Sequence, residues 1–389
     1  MTQRTVVLPE IWFWQRILSP HMAGLAVELA ARGHSVTYVA ERPMSDDRAK
    51  QGWRPADTGA AQLRFAPDSA AMARLVAEVP EGAIHICQGF RGNGLISDAR
   101  AALIKRGAKH WVIMETVDNS GWRGVLRRAA YRRLISRSQG HLAGILATGH
   151  ATPAWLAKCG APKERVFPFA YFLPGSMAPR LASPSLPEAP YRLLYVGALI
   201  ERKRLDLLLA ALGRLEDDAV ELVIIGTGPL ESRLRAQASA VAGGRVKWLG
   251  LQSMDAIPDH MVDADCLVLP SRHDGWGAVV SEALIAGTPA ICSDRCGAAG
   301  VVRASGVGAV FTAGDEDALV AALNRVIAKG RISPEDRSSL AGWARCLGAM
   351  AGAEYLERIL VLSSDEEGAV KPQAPWVVAA PTAIAGYSA

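Results

Sequence analysis

Residues 271–289 read Ser-Arg-His-Asp-Gly-Trp-Gly-Ala-Val-Val-Ser-Glu-Ala-Leu-Ile-Ala-Gly-Thr-Pro and follow the apolar run Cys266-Leu267-Val268-Leu269. A short apolar run closed by Pro270 reads as a buried strand. The loop behind it carries Gly275 and Gly277 and feeds a helix that starts near Ala278. Small residues let backbone amides approach a phosphate closely, and a helix N-terminus supplies oriented donors for it. Asp274 lies in the loop and Glu282 about one turn into the helix, with seven residues between them. The two acids can therefore address different parts of one ligand. A carboxylate is a natural bidentate partner for vicinal ribose hydroxyls.

Outward from this stretch, strands and helices alternate in both directions. The second half predicts strands over 192–196, 221–225, 246–249, 266–269, 290–293 and 309–311. Its helices are expected near 204–214, 230–240, 254–261, 279–286 and 316–329. The first half opens with an apolar run at 4–8 and the aromatic segment Ile11-Trp12-Phe13-Trp14. Ser19-Pro20 then announces a helix, because its first amides lack intrahelical partners. Gly33 stops that helix, and further strands are expected at 36–39, 62–65, 83–87, 110–114 and 142–147. Helices near 69–79, 95–105, 125–138 and 152–158 separate them. Such alternation implies an α/β fold with mostly parallel sheets covered on both faces.

Length agrees with two units. A chain of 389 residues, half of them hydrophobic, exceeds the size at which one core usually splits. Five prolines between 174 and 190 mark a stiff, extended linker. The expected division is 1–173, linker 174–190, and 191–342. A long helix over 343–359, within the segment 343–362, would cross back to the first unit. The tail 363–389 has no clear period and is expected to be flexible. Two Rossmann-like units imply a ligand in the cleft between them, near the C-terminal ends of the strands. Dehydrogenases, kinases and binding proteins share that arrangement, so architecture alone does not choose the chemistry.

Composition narrows the partners. Lys plus Arg number 43 against 38 acids, which excludes a heavily charged tail protein. The six cysteines sit in or beside apolar runs, and Cys292/Cys296 lacks the second pair of a closed zinc site. No metal site is expected, and the cysteines point to a reducing, cytoplasmic setting. No stretch offers roughly 18 uninterrupted apolar residues, so a soluble or peripheral chain is expected.

Two further turns carry candidate chemistry. Val196-Gly197-Ala198-Leu199-Ile200-Glu201-Arg202-Lys203 joins a strand to a helix. Arg202 and Lys203 there can balance a diphosphate leaving group without a metal, and the pair would equally suit a solvated charged turn. Gly226-Thr227-Gly228-Pro229 is a third glycine turn at a strand end.

Taken together these stretches resemble the large family of retaining glycosyltransferases that includes bacterial mannosyl-, glucosyl- and N-acetylhexosaminyl-transferases and the glycogen and sucrose synthases. The resemblance runs from about Arg4 to Ile359 and is most specific in the second unit. Two acids seven residues apart, the glycine turn at 226–228 and Ala286-Gly287-Thr288-Pro289 carry it. It implies a GT-B fold, two Rossmann-like domains facing across a cleft. It also implies a nucleoside diphosphate sugar as donor substrate, held mainly by the second domain, and no required cofactor or divalent metal. On that resemblance Glu282 holds the donor ribose and Asp274 faces hydroxyls of the transferred sugar. The amides from Gly275 through Trp276, Gly277 and Ala278 to Val279 surround sugar and diphosphate. Lys203 matches the phosphate-binding lysine, and Gly197 and Gly226 line the site. Where relatives place a basic residue after the first glycine this chain has Ala198, and Arg202 is the candidate replacement.

The first unit departs further. Many relatives have a glycine-rich turn after the first strand, where this chain has 11–19 with two tryptophans. Trp12 and Trp14 suit either packing or the cleft, and so does His21. Where relatives have a histidine that contacts the donor sugar, Met114-Glu115-Thr116 stands here, which puts Glu115 among the catalytic candidates without making it a base. Between Trp122 and Arg137 lie Arg123, Arg127, Arg128, Arg132, Arg133 and Arg137 with no acid among them. With Trp122, Leu126, Tyr131, Leu134 and Ile135 interspersed, the run suits an amphipathic helix on an anionic membrane carrying a lipid-linked acceptor. It also suits a solvated helix; no reading motif points to nucleic acid. The expected reaction is hexosyl transfer to a hydroxyl of a glycan or lipid-linked glycan. A sugar-nucleotide epimerase of similar architecture, or a non-catalytic nucleotide-sugar-binding module, are the alternatives.

Overall fold

The alternating apolar runs become two parallel sheets with helices on both faces. The computed structural model describes residues 8–44, 54–174, 189–217, 219–364 and 370–379. In the N-terminal lobe the chain runs β1 (Ile11–Ile17), α1 (Pro20–Ala31), β2 (Val36–Arg42), β3 (Gln62–Phe65), α2 (Ser69–Glu78), β4 (Ile84–Gln88) and α3 (Ile96–Lys105). It continues through β5 (His110–Glu115), α4 (Gly121–Ser138), β6 (Leu142–Thr148), α5 (Thr152–Lys158) and β7 (Val166–Phe169). The seven strands are ordered β3-β2-β1-β4-β5-β6-β7.

The C-terminal lobe repeats the scheme with β8 (Tyr191–Val196), α6 (Leu205–Gly213), β9 (Val220–Ile225), α7 (Glu231–Val241), β10 (Val246–Gly250), α8 (Ile257–Val262) and β11 (Cys266–Leu269). Then follow α9 (Ala278–Ile285), β12 (Ala290–Ser293), α10 (Ala299–Ser305), β13 (Gly308–Phe311), α11 (Glu316–Ala328) and α12 (Pro334–Ala344). Its six strands are ordered β10-β9-β8-β11-β12-β13. In each sheet the strand order reverses beside the first strand, between β1 and β4 and between β8 and β11. Crevices open at such points, beyond the carboxyl ends of the strands.

The aromatic segment is the first strand itself rather than a replacement for the turn after it. Alternation along β1 sends Trp12 and Trp14 to one face, where their rings stack at 5.5 Å among Met72, Leu75 and Ile96. Ile11 and Phe13 face α1 on the other side. Both tryptophans are therefore packing residues, 4% and 0% exposed. The run at 4–8 falls almost wholly outside the described residues. β7 escaped the sequence reading because Pro168 interrupts its pattern; as an edge strand it tolerates the missing donor.

The lobes are tied at their base. Instead of one helix over 343–359, α12 ends at Ala344, a 3-10 turn spans Arg345–Leu347, and α13 (Ala349–Ser364) starts afresh. Gly348 is extended, and around it Leu173 and the returning chain exchange backbone bonds, Leu173 N to Leu347 O at 2.9 Å and Ala349 N to Leu173 O at 2.7 Å. α13 then lies on the first lobe, where Glu357 accepts a two-pronged bond from Arg32 at 2.9 and 2.7 Å. Tyr355 stacks on Phe169 at 6.0 Å. The linker residues 175–188 lie outside the described residues.

Part of the tail is also structured, contrary to the expectation of flexibility from 363 onward. α14 (Pro375–Val378) brings Trp376 to 6.3 Å from Phe172 and 6.2 Å from Trp276. Trp343 donates to the Ala379 carbonyl at 3.1 Å, and Lys371 sits 4.5 Å over the Phe167 ring. Aromatic burial outweighs the low hydrophobicity of the surrounding tail. Trp376 is half-buried. Full burial of a tryptophan is worth roughly 3–5 kcal/mol against alanine, so Trp376→Ala is expected to cost about 1–2 kcal/mol. Urea unfolding followed by fluorescence measures this, and an unchanged midpoint would show that the strap carries no load.

Candidate active site

Two strand-end loops of the C-terminal lobe meet at its switch point. After β8, the chain passes Gly197 and a 3-10 turn at Glu201–Lys203 before Arg204, at φ 53°, turns it into α6. After β11, residues 270–277 lead to Gly277 at φ 84°, which starts α9. Lys203 Nζ donates to Asp274 Oδ2 at 2.5 Å, and Arg202 Nη1 stands 3.6 Å from the same oxygen. Ser271 Oγ donates to it at 3.3 Å, while Arg202 Nη1 donates to the His273 carbonyl at 2.8 Å. The two loops are thus laced into one rigid rim.

Electrostatics follow from this geometry. Burial alone would push the Asp274 carboxyl up, but the charge and hydrogen bond of Lys203, with Arg202 and Ser271, hold it below the ordinary carboxylate range. Glu282 meets the opposite fate. On the fifth position of α9, it has no ion-pair or hydrogen-bond partner among the described residues, and burial lifts its pKa to about 7. His273 is lowered, mainly by burial.

Glycine shapes the floor. Gly226 has φ 133°, and a Cβ there would lie 2.0 Å from the Gly197 carbonyl oxygen, so the two glycine turns pack directly on each other. Gly275 faces the other lobe: a Cβ on it would meet the Glu115 carboxylate at 1.9 Å. Glu115 ends β5 and accepts a hydrogen bond from the Tyr171 hydroxyl. The loop after β11 therefore comes directly against the Glu115 side chain of the first lobe.

Every residue singled out as catalytic or nucleotide-binding lines one cleft of about 1270 Å³: Asp274, Lys203, Arg202, Glu115, Glu282, Gly275 through Val279, Gly197 and Gly226. His21 lines it too, stacked on Tyr171 at 5.3 Å. Trp276 contributes mainly backbone, since its ring is 3% exposed and its indole donates to Ser281 Oγ at 3.1 Å. Ala198 and Arg202 both line the cleft, and the Arg202 guanidinium is held by the His273 carbonyl and Asp274. Sequence reasoning missed Tyr171, His273, Gln15, Arg16, Arg42 and Gln88 in the lining. Tyr171 was hidden behind the unread β7, and Gln15 and Arg16 behind the misplacement of the first strand.

Among the described residues no group of three or more His, Cys, Asp and Glu is placed to hold a metal ion. The six cysteines are free.

Comparison with known proteins now adds to this geometry. Residues 181–341 match the family model of glycosyl transferases group 1. Phosphatidyl-myo-inositol mannosyltransferase of Mycobacterium leprae is 34% identical over 164 residues, covering 40% of this chain and 43% of that protein. D-inositol 3-phosphate glycosyltransferase of Mycolicibacterium gilvum is 29% identical over 233 residues, 56% of this chain and 50% of that one. The chain spans half or less of the length of these curated relatives. Among solved structures, HepE of Anabaena in complex with UDP and glucose superposes with a TM-score of 0.67 at 15% identity, covering 92% of this chain and all of that one. The lipopolysaccharide outer core galactosyltransferase WaaB gives 0.66 at 19% identity, over 91% and 99% of the two chains. The fold likeness covers 91–92% of this chain, and the family-model match falls on the lobe that holds the Lys203–Asp274 pair. Residues 181–341 resemble the group 1 glycosyltransferases, and the two lobes have the GT-B fold.

Proposed function

We propose that this chain is a retaining, metal-independent glycosyltransferase that moves a hexosyl group from a nucleoside diphosphate sugar to a hydroxyl of a glycan or lipid-linked glycan. The observation that carries the reading is the cluster of Lys203, Arg202 and Asp274 at the start of α9, with an unpartnered Glu282 one turn along. Two cations beside one carboxylate leave a net positive charge, and the first amides of α9 lack intrahelical acceptors. That combination suits a diphosphate. Glu282 suits the ribose hydroxyls, and Asp274 hydroxyls of the transferred sugar. Solved proteins of this fold hold UDP and glucose or UDP-glucose, which supports a nucleotide-sugar donor here.

The step proposed is a front-face displacement. The bond from the anomeric carbon to the diphosphate oxygen breaks, and its electron pair leaves with the diphosphate. The acceptor oxygen bonds to the same face of that carbon, and its proton passes to the departing phosphate oxygen. Lys203, Arg202 and the α9 amides stabilise the charge that grows on the leaving group. Glu115, bonded to Tyr171 within the first lobe, would face the sugar from that lobe. A panel of nucleoside diphosphate sugars, offered with and without acceptor glycans, tests the whole reading. Donor turnover independent of any acceptor would favour an epimerase, and binding without transfer a regulatory module.

A membrane role for α4 is proposed on a separate observation. Tyr131 and Ile135 are buried, so the apolar surface left to solvent is Trp122, Val125 and Leu126, 68%, 55% and 60% exposed. Arg132 and Arg133 are exposed beyond them, while Arg127 and Arg128 are half-buried and Arg127 is engaged by Asp118. Among the described residues no helix is long and apolar enough to cross a membrane. An exposed tryptophan followed by arginines supports peripheral attachment to an anionic surface on the cytoplasmic side.

Glu282→Ala should weaken nucleotide binding by roughly 1–3 kcal/mol, read by titration, because a ribose hydroxyl pair loses its carboxyl hydrogen-bond partner. Glu282→Gln separates this from folding. A carboxyl raised from 4.5 to about 7 keeps its proton longer in the folded chain, so parent stability should fall as pH rises from 4.5 to 7. The glutamine variant should lose that slope in urea melts, and a parallel slope would disprove the shift. Exhaustive chelation should leave transfer intact; activity abolished by chelator and restored by magnesium would overturn the proposed charge balance. Replacing Arg127, Arg128, Arg132 and Arg133 by glutamine should cut co-sedimentation with anionic vesicles, by about 1 kcal/mol for each arginine at the surface, and spare donor binding. Equal sedimentation of parent and variant would return α4 to the solvated reading.

A further inference from the structure

The switch point of the N-terminal lobe holds a buried amide with nothing to bond. Gln15, near the end of β1, is 3% exposed and lines the cleft, yet its Nε2 makes no hydrogen bond. A donor withdrawn from water without an acceptor is costly, and it is tolerated where a bound group supplies the acceptor. Strand alternation sets Gln15 on the face of β1 that carries Ile11 and Phe13, the face covered by α1.

The start of α1 opens onto the same place. Ser19 occupies the N-cap without a side-chain capping bond, and the first turn carries no acid, so the positive end of the helix is left uncompensated. Arg16 and Arg42 stand at the carboxyl ends of adjoining strands, Ile17 being the register partner of Arg42. Both line the cleft, both are exposed, and among the described residues neither meets a carboxylate. Glu41 is engaged elsewhere, accepting from the Leu95 amide at 2.5 Å.

Gln15, the start of α1, Arg16 and Arg42 all line the N-terminal side of one cleft. We propose that this pocket binds an anionic oxygen group, a phosphate or carboxylate, carried by the acceptor. The inference rests on the glycosyltransferase reading for the word acceptor alone; the pocket is argued from its own residues. A donor diphosphate has its own cations, Arg202 and Lys203, on the opposite wall of the cleft. An acceptor anchored by its anion beside β1 would present its hydroxyl toward the donor loop.

Inorganic phosphate is the probe. The full chain is first saturated with whichever of UDP, GDP or ADP it binds, then titrated with phosphate by calorimetry and phosphorus NMR. Binding should persist beside the nucleotide. The double variant Arg16→Gln/Arg42→Gln, altered only at exposed positions, should weaken phosphate at least tenfold and leave the nucleotide constant within twofold. Gln15→Leu should act in the same direction, with thermal melting confirming that it folds. Against acceptors with and without an anionic group, the double variant should raise the acceptor KM only for the charged one, at constant donor KM. Displacement of phosphate by nucleotide, or equal phosphate affinity in parent and double variant, would overturn the proposal and assign the anion to the donor site. Failure of all three nucleotides to bind would count against the glycosyltransferase reading instead. The phosphate titration of parent and double variant would still decide the pocket.

Discussion

A lysine and an aspartate drawn out of water into contact, Lys203 and Asp274, hold the rest of the site in place. Their side chains are only 15% and 12% exposed, and they come from loops 71 residues apart in sequence. Desolvating two charges is expensive, and only close geometry with further bonds recovers the cost. Here Ser271 and Arg202 supply those bonds. The loop after β11 is therefore pinned, α9 begins where its amides can face a ligand, and Glu282 falls into the same cleft. Without the pair, Asp274 would be a buried carboxylate with too little compensation, and the rim would have to rearrange.

Charge in the cleft is divided between its walls. The C-terminal lobe holds one carboxyl low beside two cations and raises another, at positions with only seven residues between them. Burial without a partner raises the Glu282 carboxyl to about 7; burial with Lys203 beside it holds Asp274 below the ordinary carboxylate range. The N-terminal lobe offers donors without acids at the end of β1, while Glu115, at the end of β5, is engaged by Tyr171. Gly275 allows the walls to touch, since any side chain there would strike Glu115.

Much of this was legible in the residues. Regular alternation placed most strands of both sheets, and the spacing of Asp274 and Glu282 across a glycine loop pointed to the cleft that both line. Four features were not. Trp12 and Trp14 looked like an anomaly because β1 was sought at 4–8; strand alternation explains them once the register is known. Pro168 concealed β7, because a proline inside a short run argues against a central strand and says less about an edge. The docking of 370–379 depends on Trp376 meeting Phe172 and Trp276, distant contacts that no local period records. The pairing of Lys203 with Asp274 is likewise a fact of tertiary structure, which explains how both could be named without their partnership being foreseen.

The way the lobes are joined at their base governs how they could move. The chain leaves the first lobe after Leu173 and comes back at Ala349, where the outgoing and returning strands share backbone bonds. The segment 370–379 then lies across the seam, with Lys371 on one side and Trp376 against Trp276 on the other. Several side-by-side links act like a stiff door leaf rather than a single pin. They resist splaying and stretching, and the freedom that remains is rotation about the line along which they lie. A substrate entering the cleft would thus be admitted by a swivel whose axis passes close to Phe172, leaving the far rim to make the largest excursion.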